Sequence, residues 1–117
     1  MKHILIIRHA KSSWADPSQD DFDRPLNERG KQDSPQMAQR LLARSITIDA
    51  FIASPAKRAR KTAALFAAEF NYHKENILLV PELYHASPAN FYETIARAPS
   101  SANTIAVFHT IPALLNL

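Results

Sequence analysis

Two arginines and two histidines lie close behind short apolar runs that are typical of β-strands. Arg8 and His9 directly follow the first run, Arg58 lies shortly after the second, and His109 directly follows the last. Because ligands of open α/β sheets bind beyond the carboxyl ends of the strands, we expect these side chains to meet there. A guanidinium group can bind two phosphate oxygens at once, and a neutral imidazole can attack phosphorus. These residues therefore predict a pocket for a phosphate dianion.

The strands that position these residues are predicted from four apolar runs, at 3–7, 49–53, 77–80 and 104–108. The first run is continuously apolar and β-branched, which is typical of a strand buried on both faces in the middle of a parallel sheet.

Helical spacing of apolar residues predicts a helix between each pair of successive strands. Asn27 is a plausible cap for the first helix, although Pro35 implies a kink or a start nearer Ser34. Ser-Pro pairs at 54–55 and 87–88 predict helices that reach about residues 70 and 97, and a short helical fragment follows at 112–117. The alternation predicts an α/β fold with three α/β/α layers and a mainly parallel central sheet.

Composition restricts the classes of protein. The 117 residues predict a single domain spanning 1–117, and the absence of cysteine excludes disulfides, thiolate zinc sites and a cysteine nucleophile. No apolar run approaches the roughly 20 residues that cross a bilayer, so we expect a soluble, cytoplasmic protein.

The charge of the chain is less informative about its binding partners. The net charge of +3 favours anionic partners, but the one dense basic cluster, at 57–61, is more typical of a solvated helix face than of a nucleic-acid site. Asp20, Asp21 and Asp23 lack the glycine and glutamate of a calcium loop, and we expect them to be solvated and to pair with Arg24 or Arg29.

Three segments resemble, in order, the motifs of the SixA-type phosphohistidine phosphatases of the histidine phosphatase superfamily. They are RHAKSSW at 8–14, DRPLNERG at 23–30 and SPAKRARKTA at 54–63, with a looser match at 82–84. The resemblance implies a phosphoglycerate mutase-like fold that needs no metal or organic cofactor.

The resemblance also implies a role for each matching residue. His9 would be the nucleophile that becomes phosphohistidine, Arg8 and Arg58 would hold the phosphoryl oxygens, and His109 would stabilise the transferring group. Glu82 is the candidate proton donor, with an ordinary surface glutamate as the alternative interpretation.

The chain departs from the family pattern near its end. It reads Phe108-His109-Thr110-Ile111-Pro112 where the family has glycine, histidine, asparagine and proline, and it stops at Leu117 while the family continues with further elements. We therefore expect a domain without its C-terminal elements, which dimerises or exchanges segments to cover the exposed faces.

The leading functional prediction is a phosphatase that acts on phosphohistidine of a phosphorelay protein or on another phosphomonoester. Its partner would be a phosphorylated protein or a small phosphate ester, with no role for nucleic acid or membrane. The alternative is a non-catalytic phosphate- or phosphoprotein-binding module with a degenerate fourth motif. A mutase-like reaction ranks lower because mutases of this type are longer.

Overall fold

The computed structural model describes residues 3–8, 18, 20–84 and 88–109, in which strands and helices alternate along the chain. The strands and α-helices are β1 (His3–Arg8), α1 (Glu28–Ala43), β2 (Ala50–Ala53), α2 (Lys57–Glu69), β3 (Leu78–Leu79), α3 (Pro88–Ala96) and β4 (Thr104–His109). Short 3-10 turns occupy Asp21–Asp23, Lys74–Asn76 and Pro81–Leu83. None of the helices in these ranges is long and apolar enough to span a membrane.

The four strands form one parallel sheet in the order β1-β4-β2-β3. Parallel neighbours require crossover connections, which the helices supply. The register places Arg8 of β1 opposite His109 of β4, and Phe108 opposite Ala53 of β2. The carboxyl ends of β1, β4 and β2 therefore meet at one edge of the sheet.

Both faces of the sheet are covered, because successive side chains of β2 and β4 point to opposite sides. Phe51 and Phe108 belong to a core that includes Phe66 of α2 and residues of α1. Ile52 and Val107 belong to a second core on the other face, against which Ile95 of α3 packs. The predicted three-layer α/β/α fold with a parallel sheet is confirmed.

The position of β1 differs from the prediction. In the part of the chain that the structure describes, β1 pairs with β4 alone and is the outermost strand. Its Leu5 and Ile7 pack against the α1–α2 side and Ile4 against the other, but Ile6 is 59% exposed. A continuous apolar run indicates contact with both layers, and it does not distinguish a central strand from an outer one.

The helix starts follow from local hydrogen bonds. The Asn27 side chain accepts a hydrogen bond from the Gly30 amide at 2.8 Å, so the predicted cap is confirmed. The helix runs on through Pro35, and the alternative start near Ser34 is wrong. Helix α2 begins two residues after Pro55, because the Ser54 hydroxyl oxygen accepts the Ala56 amide at 3.2 Å and holds a turn there.

Some predicted features lie outside the described residues. These are the helix start at Ser87 and the fragment at 112–117.

Candidate functional site

Three of the predicted site residues, Arg8, Arg58 and His109, lie at the carboxyl edge of the sheet. Arg8 and His109 end neighbouring strands and lie side by side in register. Ser54 directly follows β2 and donates its amide to the Phe108 carbonyl at 2.8 Å, which fixes the start of the turn leading to Arg58. Arg58 lies in the first turn of α2, and His9 lies outside the described residues.

Arg58 is fully buried, although it carries a full positive charge. Its Nη2 donates to the Asp21 carboxylate at 3.0 Å, and its Nη1 donates to the Asp21 carbonyl oxygen. Among the described residues, its Nε has no hydrogen-bond acceptor. A buried N–H that lacks an acceptor costs free energy, so an oxygen of a bound anion would be stabilising at this position.

The Asp21 carboxylate joins three side chains. Besides Arg58, it binds Arg24, whose Nη2 lies 2.9 Å from Oδ1, and it accepts the Tyr84 hydroxyl at 2.6 Å. The predicted pairing of this acidic loop with Arg24 is therefore confirmed, whereas the expectation that Asp21 is a simple solvated acid is wrong. We call Asp21, Arg24, Arg58 and Tyr84 the Asp21 cluster.

The cluster shifts the pKa values of its members. Partial burial raises the pKa of Asp21, but hydrogen bonds from Tyr84 and Arg58 and the charges of both arginines outweigh it, so the net pKa lies below 3.8. Burial and the hydrogen bond to Asp21 raise the pKa of Tyr84 to about 12. Burial and the nearby charge of Arg58 lower the pKa of Arg24. Asp21 is therefore ionised and Tyr84 neutral near pH 7.

The balance of charge in the Asp21 cluster favours an anion. Two guanidinium groups surround one carboxylate, which leaves one net positive charge in a largely buried setting. Arg8 adds an exposed guanidinium at the same sheet edge. Such a concentration of positive charge attracts a phosphate dianion, and each arginine can bind its oxygens in pairs.

Glu82 lies in the turn at Pro81–Leu83 and is exposed. Its two carboxylate oxygens bind Arg97 at 3.1 and 3.3 Å. A backbone hydrogen bond within Glu82, followed by the hydrogen bond from Arg97, lowers the pKa of its carboxyl group. A carboxylate held in the ionised form donates a proton poorly at neutral pH, which favours the interpretation of Glu82 as a surface glutamate.

Phe108, which stands where the family has glycine, is buried in the core. Its ring stacks on Phe51 with centroids 6.0 Å apart and meets Phe66 edge to face at 5.2 Å. The α1–α2 core therefore accommodates the bulk of this side chain.

The roles of Arg24 and Tyr84 in the site were not predicted from sequence. One available signal is that both fall within matched segments, at 23–30 and 82–84. Their convergence on Asp21 joins residues up to 63 positions apart, which no local pattern indicates. No group of three or more metal-ligating side chains occurs among the residues that the structure describes.

The structure is that of a parallel α/β protein with arginine and histidine at the carboxyl edge of its sheet. The chain belongs to branch 1 of the histidine phosphatase superfamily, whose family model matches residues 4–84.

Known proteins resemble the chain in both sequence and structure. It is 36% identical over 87 residues to the mitochondrial serine/threonine-protein phosphatase Pgam5 of Drosophila grimshawi, covering 74% of this chain and 29% of that protein. A solved structure of the candidate phosphohistidine phosphatase SixA of Agrobacterium tumefaciens superposes with a TM-score of 0.78 at 30% identity, covering 91% of this chain and 67% of that one.

A further solved structure, of the protein histidine phosphatase SixA complexed with tungstate, superposes with a TM-score of 0.79 at 23% identity. It covers 93% of this chain and 69% of that one, and it shares the fold. The chain spans less than two fifths of the length of the curated relatives that it matches.

Proposed function

We propose that this protein is a phosphatase that removes the phosphoryl group of a phosphoprotein, phosphohistidine above all, through an intermediate on His9. The observation that carries the proposal is the buried Arg58 guanidinium, held by Asp21 at the sheet edge where Arg8 and His109 stand side by side. Membership of the histidine phosphatase superfamily supports the nucleophilic role of His9.

The chemistry would proceed in two displacements. An imidazole nitrogen of His9 attacks phosphorus, a nitrogen–phosphorus bond forms, and the bond from phosphorus to the leaving group breaks as that group takes up a proton from solvent. Water then attacks the phosphohistidine, which releases inorganic phosphate and restores the imidazole. Arg8, Arg58 and His109 would stabilise the charge on the phosphoryl oxygens in both steps, where positioning and electrostatics supply most of the catalysis.

The ionisation of Asp21 and Glu82 favours phosphohistidine as the substrate. Asp21 and Glu82 both have lowered pKa values and are held as carboxylates by arginines, so neither suits the protonation of an alkoxide. Imidazole is a better leaving group than the alkoxide of a serine and needs less help. The names of Pgam5 and SixA, as protein phosphatases, support a protein substrate for this chain.

The test is to incubate the protein with a labelled phosphohistidine peptide and quench rapidly. We expect acid-labile, alkali-stable label on His9, followed by release of phosphate, and a phosphoserine peptide of the same sequence should turn over more slowly. His9→Ala should remove both label and turnover, whereas His73→Ala, an exposed histidine far along the chain from His9, should keep them.

Two outcomes would contradict the proposal. Turnover that persists in His9→Ala would exclude the intermediate on His9. Phosphopeptide binding without label or phosphate release would instead establish the alternative, a binding module that retains the arginines of the site.

A further inference from the structure

A groove of about 720 Å³ runs along α2, on the side that faces the segment before α1 and the region around β3. Its volume lies within the range of roughly 300–1,000 Å³ that is usual for ligand pockets. Its cationic lining residues are Lys31, Lys57, Arg60, Lys61 and Lys74. Within the described ranges, the one acidic residue in its lining is Glu75. The groove therefore carries a large excess of positive charge.

This charge is mostly uncompensated in the part of the chain that the structure describes. Among the described residues, no carboxylate forms an ion pair with Lys74 or with the three groove cations of α2, which are Lys57, Arg60 and Lys61. Lys31 pairs within this part of the chain only with the exposed Glu28, at 3.5 Å. The three cations of α2 follow one another at helical spacing, so they lie on one face of the helix. A face with this charge attracts acidic groups.

Aliphatic side chains form the apolar part of the lining. Leu26, Ala64, Ile77 and Leu79 all line the groove, and Leu79 is 44% exposed. A cationic rim over an aliphatic surface suits a segment that carries both carboxylates and apolar side chains. Among the residues that the structure describes, no aromatic one lines the groove, so this part of the lining offers no stacking platform for nucleic-acid bases.

The groove adjoins the Asp21 cluster. Its lining residues Pro25 and Leu26 directly follow Arg24, and Lys57 directly precedes Arg58. A polypeptide that presents a phosphorylated side chain to Arg58 would therefore have neighbouring residues within reach of the groove.

We propose that this groove docks an acidic, aliphatic segment of the phosphoprotein substrate, an inference that rests on the proposed function. Charge complementarity would select the partner and speed its encounter, and the apolar surface would add contact area. The groove accordingly distinguishes protein substrates with acidic segments from small phosphate esters, which are too short to reach it.

The test measures binding by fluorescence anisotropy, with an unphosphorylated twelve-residue peptide of alternating glutamate and leucine. A matched peptide has glutamine at each glutamate position, and a twelve-nucleotide oligothymidine serves as the nucleic-acid probe. Because these probes carry no phosphohistidine, the measurement does not depend on turnover, and failure of the groove is distinguishable from failure of the phosphatase.

We expect the acidic peptide to bind at least about tenfold more tightly than its glutamine counterpart, and binding to weaken as salt rises. Arg60→Glu combined with Lys61→Glu should weaken binding of the acidic peptide by about tenfold or more, since each change replaces attraction by repulsion. The control is Arg40→Glu, an exposed arginine of α1 outside the groove, which should leave binding of the peptide unchanged.

Three outcomes would overturn the proposal. Equal binding of the two peptides would exclude charge complementarity, and an equal loss in the Arg40→Glu control would show a non-specific effect of net charge. Tighter binding of the oligothymidine than of the acidic peptide, lost in the groove variant, would assign the groove to nucleic acid.

Discussion

Asp21 holds Arg58, the proposed phosphate ligand, in place by accepting hydrogen bonds from two of its nitrogens. Tyr84 and Arg24 bind the same carboxylate and limit its movement. An arginine whose guanidinium is already oriented loses less conformational freedom when it binds an anion. At the scale of single residues, the cluster would therefore orient Arg58 for the proposed phosphate, and Tyr84 contributes to this through its hydrogen bond to Asp21.

Tyr84→Phe tests this contact through the dependence of stability on pH. The variant loses a hydrogen bond to a charged, partly exposed group, so we expect it to be about 1 kcal/mol less stable than the parent protein at pH 8. Between the unfolded pKa of 10.0 and the folded pKa of about 12, unfolded Tyr84 loses its proton while folded Tyr84 keeps it. The stabilisation is therefore present below pH 10 and is lost as pH rises towards 12.

Urea denaturation at pH 8 and at pH 11.5 measures the difference. The free energies of unfolding of the parent and of Tyr84→Phe should converge at the higher pH. Tyr92→Phe is the control, because Tyr92 is 77% exposed and should show no difference at either pH. A gap between the parent and Tyr84→Phe that stays constant with pH would show that the hydroxyl of Tyr84 does not stabilise the fold through Asp21.

At the scale of elements, the start of α1 follows directly from the sequence. The side-chain oxygen of Asn27 caps the helix at 2.8 Å, and Arg24 of the Asp21 cluster lies three residues earlier. We expect Asn27→Ala to lower the free energy of unfolding by about 1 kcal/mol, because the Gly30 amide loses its acceptor. Chemical denaturation measures the loss.

Asn27→Asp provides the matched comparison, since a carboxylate oxygen also caps a helix. It should keep most of the parent's stability. Equal losses in Asn27→Ala and Asn27→Asp would mean that another property of Asn27, and not the cap, stabilises the helix start.

A strand or helix can be predicted from sequence when the residue pattern that specifies it is local. The apolar runs that became β2 and β4 are buried on both faces, and their positions were predicted within a residue or two. The start of α2 was predicted less well, because the Ser54 hydroxyl holds a turn before the helix and does not cap it. The outer position of β1 depends on the order of strands, which no single strand encodes.

At the scale of the whole molecule, the sheet topology explains why part of the site could be predicted. Arg8 and His109 end strands and Arg58 lies shortly after one, so the rule that parallel strands end at one edge is enough to place all three at that edge. Asp21 and Tyr84 follow no such rule, because their contact joins two turns 63 residues apart through side chains alone. Contacts of this kind arise from packing and are not visible in local patterns.

The position of β1 gives the expectation of a dimer a structural basis. In the described part of the chain, β1 has a partner strand on one side only, and Ile6 is 59% exposed. An outer strand with an exposed aliphatic residue is a template for pairing with another chain. In two copies related by a two-fold axis, the outer edge of each β1 strand can pair with that of the other copy. We expect a dimer whose fraction rises with protein concentration.

Ile6→Lys tests this interface, because it places a charge on the outer strand. Loss of one isoleucine that the dimer would bury should weaken association by roughly 1.5–3 kcal/mol, or at least about tenfold in the dissociation constant. Light scattering across a range of concentrations should show a shift to monomer for Ile6→Lys and none for Leu42→Lys, a similarly exposed aliphatic residue of α1. If the parent protein is a monodisperse monomer at every concentration, the outer edge of β1 does not mediate self-association, and its exposed isoleucine is then tolerated as a single apolar residue on the surface.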